Sequence, residues 1–446
     1  MNYLFPFADF LWILQKEEYD SARYIKWLRR FFFRRGFVVS EQLVYTARAK
    51  ITLAASILLW ALILLLVLVL VPGLFSKLLL TVVLLLLIPI ASLLANVALS
   101  PVFSALHGRQ QARAAERVQR HAPLNIVGIA GSFGKTTTKH FLYDLVRYHY
   151  RTQMIPGTIN TPSGIAAWIL KELAPNTQLL IVEMDAYKRG EIAASARMTP
   201  PDIAIVTNVG DQHLERFGSK KALAASLGEI LQHSPHGSTL IVDTVTLADL
   251  QPVDPSVRVV EVRTGPLVYQ GTAIGTENLS QSNKENLARA LVVADLLHVP
   301  APFVIDTSRH LELPDRRQKM GSVYGYEGID DSYNISLTTA KAGLAAARAL
   351  ADTKGKKLFV VAAGIPEAGP DAPESNRELG QAISAYADQA IVLDTMFSEE
   401  IRTGIGATVP VMRTPRLETF LKTAHEVLPP GEWVGLFQPA LPDLYY

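Results

Sequence analysis

The run Gly128-Ile129-Ala130-Gly131-Ser132-Phe133-Gly134-Lys135-Thr136-Thr137-Thr138 sets glycines, a lysine and hydroxyls in an order that suits phosphate. It follows an apolar, β-prone stretch and precedes a helical one at 140–148. Glycines let backbone N–H groups approach phosphate oxygens, and the N-terminus of the next helix adds partial positive charge. In that frame Lys135 reaches the β- and γ-phosphates, and the Thr136 hydroxyl ligates Mg²⁺. The generic loop has a glycine five residues before Gly134. Here Ile129 stands at that place, and Gly128 comes one residue earlier. A Gly/Thr-rich turn is the bland alternative. Strand, Gly-Lys-Thr and helix in succession favour a nucleotide site, with Gly131, Ser132, Phe133, Gly134, Lys135, Thr136 and Thr137 as its phosphate contacts. A Mg·ATP site needs further ligands. Glu183 ends the apolar run 179–182, at the sheet edge where a carboxylate can face phosphate. It is either a ligand or an ordinary edge carboxylate. His213 follows another apolar run, and a lone loop histidine is more often a surface residue.

These groups need a scaffold. From residue 124 onward, short apolar runs alternate with amphipathic stretches, which argues for parallel sheets covered by helices. Strands are expected at 124–130, 179–184, 202–209, 239–243, 358–363 and 389–394. The region 304–321, with Pro314 and polar residues, reads as a hinge between two domains. Residues 109–121 read as a polar, helical linker. The chain contains no cysteine, which excludes disulfides, thiolate metal sites and a cysteine nucleophile. Its net charge of +2 carries no nucleic-acid footprint.

The hydrophobic excess sits in two charge-free runs, 51–71 and 78–98. As helices each is about 30 Å long, enough to cross a bilayer core. The turn between them is short, so the pair is expected as a hairpin with both ends on one side. Lys26, Arg29, Arg30, Arg34, Arg35, Arg48 and Lys50 precede it, and Arg109, Arg113, Arg117 and Arg120 follow it. The turn holds only Lys77. The positive-inside rule then puts both flanks in the cytoplasm. Residues 10–35 mix aromatic and basic side chains. They read either as an interfacial helix on anionic lipid or as a solvated basic arm. Pro89 and Asn96 read as packing features.

With these motifs in hand, residues 123–446 resemble the Mur ligase family, ATP-dependent ligases that build the peptidoglycan precursor. Residues 128–139 are similar to its phosphate loop, which explains the displaced glycine. Asn160-Thr161-Pro162-Ser163-Gly164 is similar to its next motif, which implies that Asn160, Thr161, Pro162 and Ser163 contact substrate. Glu183 and His213 fall where the family keeps magnesium ligands, beside Thr136. Asn283 and Asn286 match its adenine-side asparagines. Arg316 matches the arginine that opens the C-terminal domain and contacts phosphate. Asp331 and Tyr333, in Asp330-Asp331-Ser332-Tyr333-Asn334, match its ribose-contacting loop. The Tyr-Asn version most resembles the branch that adds D-alanyl-D-alanine.

The resemblance implies an α/β fold. A P-loop central domain with a parallel-rich sheet (123–308) and a smaller Rossmann-like C-terminal domain (309–446) follow a basic segment (1–50), a two-helix transmembrane hairpin (51–99) and a linker (100–122). ATP and Mg²⁺ are the implied cofactors. The γ-phosphoryl group passes to a carboxylate, giving an acyl phosphate that an amine attacks, with Lys135, His213 and Arg316 as catalytic groups. The chain departs from the family at Leu227, where many members carry a carbamylated lysine; Lys220 and Lys221 lie upstream. It departs again at Ile335-Ser336-Leu337, in the loop 364–369 and in the tail 438–443. Membrane helices take the place of the uridine-binding domain. The expected partners are a carboxylate substrate, lipid-linked muropeptide among the candidates, an amino acid or dipeptide amine, the cytoplasmic membrane and membrane-bound cell-wall enzymes. Two alternatives stand beside this ligase. One is a poly-γ-glutamate-type or amidating synthetase served by a partner glutaminase. The other is a nucleotide-binding membrane scaffold without ligation.

Overall fold

The computed structural model describes residues 6–31, 43–121, 123–157, 159–210, 214–263, 265–276, 279–313, 318–332, 335–365, 368 and 371–439. The chain forms two compact units that divide between Arg109 and Gln110.

The first unit is helical: α1 (Phe7–Lys16), α2 (Ser21–Phe31), α3 (Ala47–Leu70), α4 (Leu74–Leu86) and the start of α5 (Ile88–Gln119). The first apolar run is one helix, capped by the Thr46 hydroxyl, which accepts the Ala49 N–H. The second run differs from expectation: it breaks at Leu87, between α4 and α5. Pro89 explains the break, because proline offers no N–H and its ring clashes with the carbonyl four residues back. Among the described residues, α3 and α5 are long and apolar enough to cross a membrane, with mean hydropathy 3.1 and 1.6 in their most apolar windows.

Of the basic aromatic segment 10–35, the described residues fold into α1 and α2, and 32–35 lie outside the described residues. Phe7, Phe10, Leu11, Trp12, Ile13 and Leu14 are buried along α1. The helix runs antiparallel to α3, with the Phe7 ring edge-on to Trp60 and Gln15 bonded to Val44. The Arg48 guanidinium lies 4.0 Å from the Tyr19 ring and 5.1 Å from the Phe103 ring. Asn96 donates to the Tyr19 carbonyl and to Ser21 Oγ. Tyr24 donates its hydroxyl to the Pro89 carbonyl. Asn96 and Pro89 therefore do pack, as expected.

The second unit holds two six-stranded sheets. In the first, β1 (Asn125–Ala130), β2 (Thr152–Met154), β3 (Leu179–Glu183), β4 (Ile203–Val206), β5 (Thr239–Val242) and β6 (Arg258–Glu261) are parallel, in the order β2-β3-β1-β4-β5-β6. Its central strands are apolar on both faces, as a helix-covered parallel sheet requires. Ile126, Leu180 and Val182 enter one core, while Val127, Ile129, Leu179 and Ile181 enter the other with Phe141, Leu142 and Leu145 of α6 (Lys135–Val146). Ile129 pairs in register with Glu183. Chain order reverses at β1, so the crevice beyond its carboxyl end is the topological switch point where ligands bind.

A two-stranded hairpin, β7 (Val268–Tyr269) with β8 (Thr272–Ala273), precedes the second sheet. That sheet comprises β9 (Lys319–Val323), β10 (Tyr326–Asp330), β11 (Lys357–Ala362), β12 (Gln389–Leu393), β13 (Val411–Thr414) and β14 (Trp433–Gln438). Its order is β13-β12-β11-β14-β10-β9, with only β9 antiparallel to its neighbour. The expected hinge 304–321 begins inside helix Ala301–Ser308 and ends in β9.

Asp331 ties this second sheet together just past β10. Its carboxylate accepts the Gln438 Nε2 donor of β14 at 3.0 Å, and a Cβ at Gly343 would lie 2.9 Å from its Oδ2. Burial pushes its pKa from 3.8 up to about 8. The folded-state pKa lies above the unfolded one. The stability from the protonated carboxyl is thus fully present below about pH 4 and lost as pH rises through about 8. Amide exchange in β10 and β14 is expected to report a stability falling across that window by up to about 1.4 kcal/mol per pH unit. In Asp331→Asn the slope flattens; equal slopes in parent and variant would contradict this assignment.

Candidate active site

The phosphate loop leaves β1 at Ala130 and enters α6 at Lys135, and two of its glycines are geometrically required. Gly131 has φ +136°, and a Cβ there would lie 2.0 Å from Thr207 Oγ1; Gly134 has φ +78°, and its Cβ would lie 2.3 Å from Asn286 Oδ1. Asn208, just past β4, clamps the loop from outside. Its carbonyl accepts the Ser132 N–H at 3.1 Å, and its Oδ1 accepts the Phe133 N–H at 3.0 Å. Ser132 Oγ in turn accepts the Gly210 N–H.

Lys135 curls over this loop. Its Nζ donates to the carbonyls of Gly131 at 2.6 Å and Ser132 at 3.3 Å, and lies 3.4 Å from Asp185 Oδ2. One turn later on α6, Lys139 is fully buried. Its Nζ sits 3.0 Å from Glu183 Oε2 and donates to the carbonyls of Ile155 and Gly157. Thr136 Oγ1 donates to the same Glu183 oxygen at 2.9 Å. Asn160 Nδ2 reaches Glu183 Oε1 at 3.3 Å and Asp185 Oδ2 at 3.4 Å. Lys135, Thr136, Lys139, Asn160, Glu183 and Asp185 therefore form one buried network at the carboxyl edge of the sheet.

The remaining expected residues divide. Asn160 is engaged with the two carboxylates, while Thr161 caps α7 (Pro162–Glu172) by accepting the Gly164 N–H, with Pro162 in its first turn and Ser163 half-buried. Thr137 is buried within α6. Asn286 accepts the Thr138 hydroxyl and donates to Asn283 Oδ1. Asn283 Nδ2 is buried and has no partner among the described residues. Next to Asn283, Ser282 donates to Gln318 Oε1, which connects helix Gln281–Leu296 to β9. Asp331, expected at a ribose, holds its carboxyl buried against Gln438. His213, Arg316 and Tyr333 lie outside the described residues. Leu227 is in an apolar core, and the Lys220 ammonium is 2.7 Å from Asp249.

The donor set fits a magnesium nucleotide. Thr136 and Glu183 offer hard oxygens of the kind Mg²⁺ takes, and the Asn283 amide has hydrogen-bonding capacity to spare. Sequence reading missed Lys139, Asp185 and Asn208. Two of them left a signal. Lys139 is four residues after Lys135, on the same helix face; Asp185 is two after Glu183, on the same side of an extended chain. Asn208 left none, because only the pairing of β4 with β1 brings it to the loop.

Residues 129–253 match the Mur ligase middle domain. The UDP-N-acetylmuramoyl-tripeptide–D-alanyl-D-alanine ligase of Synechocystis sp. is 27% identical over 283 residues, which is 60% of this chain and 61% of that protein. The Mycobacterium leprae protein of the same name is 34% identical over 172 residues, 38% of this chain and 33% of that one. The chain thus spans about three fifths of the first relative's length. The MurF ligase of Thermotoga maritima, solved with ADP, superposes with a TM-score of 0.65 at 22% identity, covering 74% of this chain and 80% of that one. Phosphate loop, strand order and these likenesses coincide on the same residues, and over 129–253 the chain is similar to the Mur ligase middle domain.

Proposed function

We propose that this protein is a membrane-anchored, ATP-dependent ligase. It activates a carboxylate as an acyl phosphate and joins it to an amine, in the making or modifying of peptidoglycan precursor. The observation that carries the reading is the convergence of Thr136, Lys139 and Asn160 on Glu183, beside a glycine loop closed by Lys135. Thr136 and Glu183 would hold Mg²⁺, which neutralises phosphate charge when bound. The loop N–H groups and the α6 N-terminus bind the triphosphate. Lys135 sets its ammonium where charge moves during phosphoryl transfer, and Arg316 and His213 are proposed to add to it. Asn283 and Asn286 are proposed to hold the base. Little covalent work falls to the side chains. Positioning and preorganised charge supply most of the rate.

The anchor belongs to the same proposal. Leu58, Leu62, Leu65, Leu66 and Leu70 of α3 are exposed, as are Leu78, Leu79 and Leu86 of α4. So continuous an apolar surface suits lipid hydrocarbon. With the basic flanks it supports an active site facing the cytoplasm and held near the inner membrane face. A tethered enzyme meets surface-confined substrates at raised effective concentration. The carboxylate substrate is accordingly proposed to be lipid-linked, or handed over by a membrane-bound neighbour.

Amine-dependent ATP hydrolysis is expected when amino acids, D-alanyl-D-alanine and muropeptides are screened with the full chain. Lys135→Ala should lower it at least about a hundredfold in a variant that still folds, with a lower melting temperature because the buried Asp185 carboxylate loses its ammonium. Turnover without any amine requirement would mark a nucleotide-binding scaffold instead. One muropeptide, presented on a lipid carrier and as a soluble uridine nucleotide, tests the anchor's role. The lipid form should turn over faster, and equal use of both would refute a lipid-linked substrate.

A further inference from the structure

Arg109, Arg113, Arg117 and Arg120 follow one another at steps of four, four and three residues, which sets them along one face of α5 and its last turn. Like charges at that spacing disfavour a helix. Among the described residues one carboxylate pairs with the stripe: Glu116 lies 3.2 Å from Arg120, and that pair is exposed and adds little. Arg113 is exposed and has no hydrogen-bond or ion-pair partner among the described residues. The stripe therefore carries positive charge that its own surroundings leave unmatched.

Three of these arginines, Arg113, Arg117 and Arg120, line a cavity of about 470 Å³, with Leu170, Leu173 and Pro175 as its apolar side. Arg117 joins the two sides. Its guanidinium donates to the carbonyls of Leu170 at 2.8 Å and Leu173 at 2.7 Å, at the end of α7. Those carbonyls are the negative end of a helix dipole, so Arg117 keeps them from repelling an anion in the cavity. The nucleotide network is elsewhere. Leu173 and Pro175 precede β3 and Glu183 ends it, so the length of β3, about 16 Å, separates the two places. A single phosphate ion would use the cationic side and leave the apolar side against water. A phosphate ester that carries hydrocarbon covers both, and the volume is that of a small-molecule site. Arg113 also comes seven residues after Leu106, the last large apolar residue of α5 that is exposed. Basic pockets next to membrane helices, on the cytoplasmic side, bind anionic lipid head groups.

Resting on the membrane anchor proposed above, we propose that this cavity binds the phosphate head group of an anionic phospholipid. Arg113 and Arg120 hold the phosphate, and the glycerol and upper acyl chain lie against Leu170 and Pro175. Arg117 is a positioning residue, since its donors are already engaged with α7.

The full chain in detergent, titrated with phosphatidylglycerol or with phosphatidylcholine, tests this by native mass spectrometry and amide exchange. The parent should retain phosphatidylglycerol in preference, and amides in 113–121 and 170–177 should exchange more slowly with it than with phosphatidylcholine. The double variant Arg113→Ala/Arg120→Ala should bind phosphatidylglycerol about thirtyfold more weakly and lose that slowing. Its exchange in β1 and β3 should stay at the parent's level, which is the control for folding. Arg109→Ala removes a cation of the same stripe that does not line the cavity, and should leave the slowing in place. A loss there as large as in the double variant would mean diffuse surface charge and overturn the proposal. So would equal retention of the two lipids by the parent, or the same slowing produced by inorganic phosphate alone. All three leave the anchor standing. A full chain that stays in solution without detergent overturns both.

Discussion

Glu183 carries a negative charge in a place that water barely reaches, with only 2% of the residue exposed. A charge in that position persists only if hydrogen bonds and an opposite charge surround it, and removing one partner of such a pair costs about 3–5 kcal/mol. Lys139 and Thr136 meet that demand from α6, and Asn160 from the approach to α7. Lys139 also ties down the carbonyls of Ile155 and Gly157, so the loop leading to Asn160 takes its shape from the same ammonium. The start of α6, the end of β3 and the approach to α7 are thereby held as one piece.

That piece exists because of sheet topology. β1 lies between β3 and β4, so the loop leaving it opens between two neighbouring carboxyl ends. One neighbour supplies Glu183 and Asp185, and the other supplies Thr207 and Asn208, against which the loop backbone is pressed. The close approach at Gly131 leaves no room for a side chain. A parallel sheet with helices on both faces makes this arrangement cheap, since the central strands carry no polar side chains in their interior and the chemistry collects at one edge.

The helical unit solves a different problem. Arg48 sits in the first turn of the long apolar helix α3, where its charge is shared between two aromatic faces and the Asn96 side-chain Oδ1. Cation–π contacts of this kind strengthen as water is withdrawn. Asn96 passes the connection on to Tyr19 and Ser21, so the turn between α1 and α2 is fixed to α5.

How much of this was legible beforehand follows from what each feature depends on. The phosphate loop, its lysine and threonine, the six named strands and the apolar runs could be read directly, because they rest on local composition and period. Glu183 was readable as a strand-end carboxylate, though not as a buried one. Strands β2, β6, β7, β8, β9, β10, β13 and β14 escaped notice; the shortest of them and the polar β9 are made strands by their sheet partners rather than by their own residues, while β14 is apolar enough to have been read. The break at Leu87 was overlooked although Pro89 announces it, because hydropathy alone does not register a missing N–H. Sequence by itself determined which residues can hold phosphate and which segments avoid water, as both are properties of side chains and their nearest neighbours along the chain. Only tertiary structure decided that Lys139 faces Glu183, that Asp185 shares the ammonium of Lys135, and that Asn208 clamps the loop. Those contacts join residues far apart in the chain, and their energy depends on a burial that no local window contains.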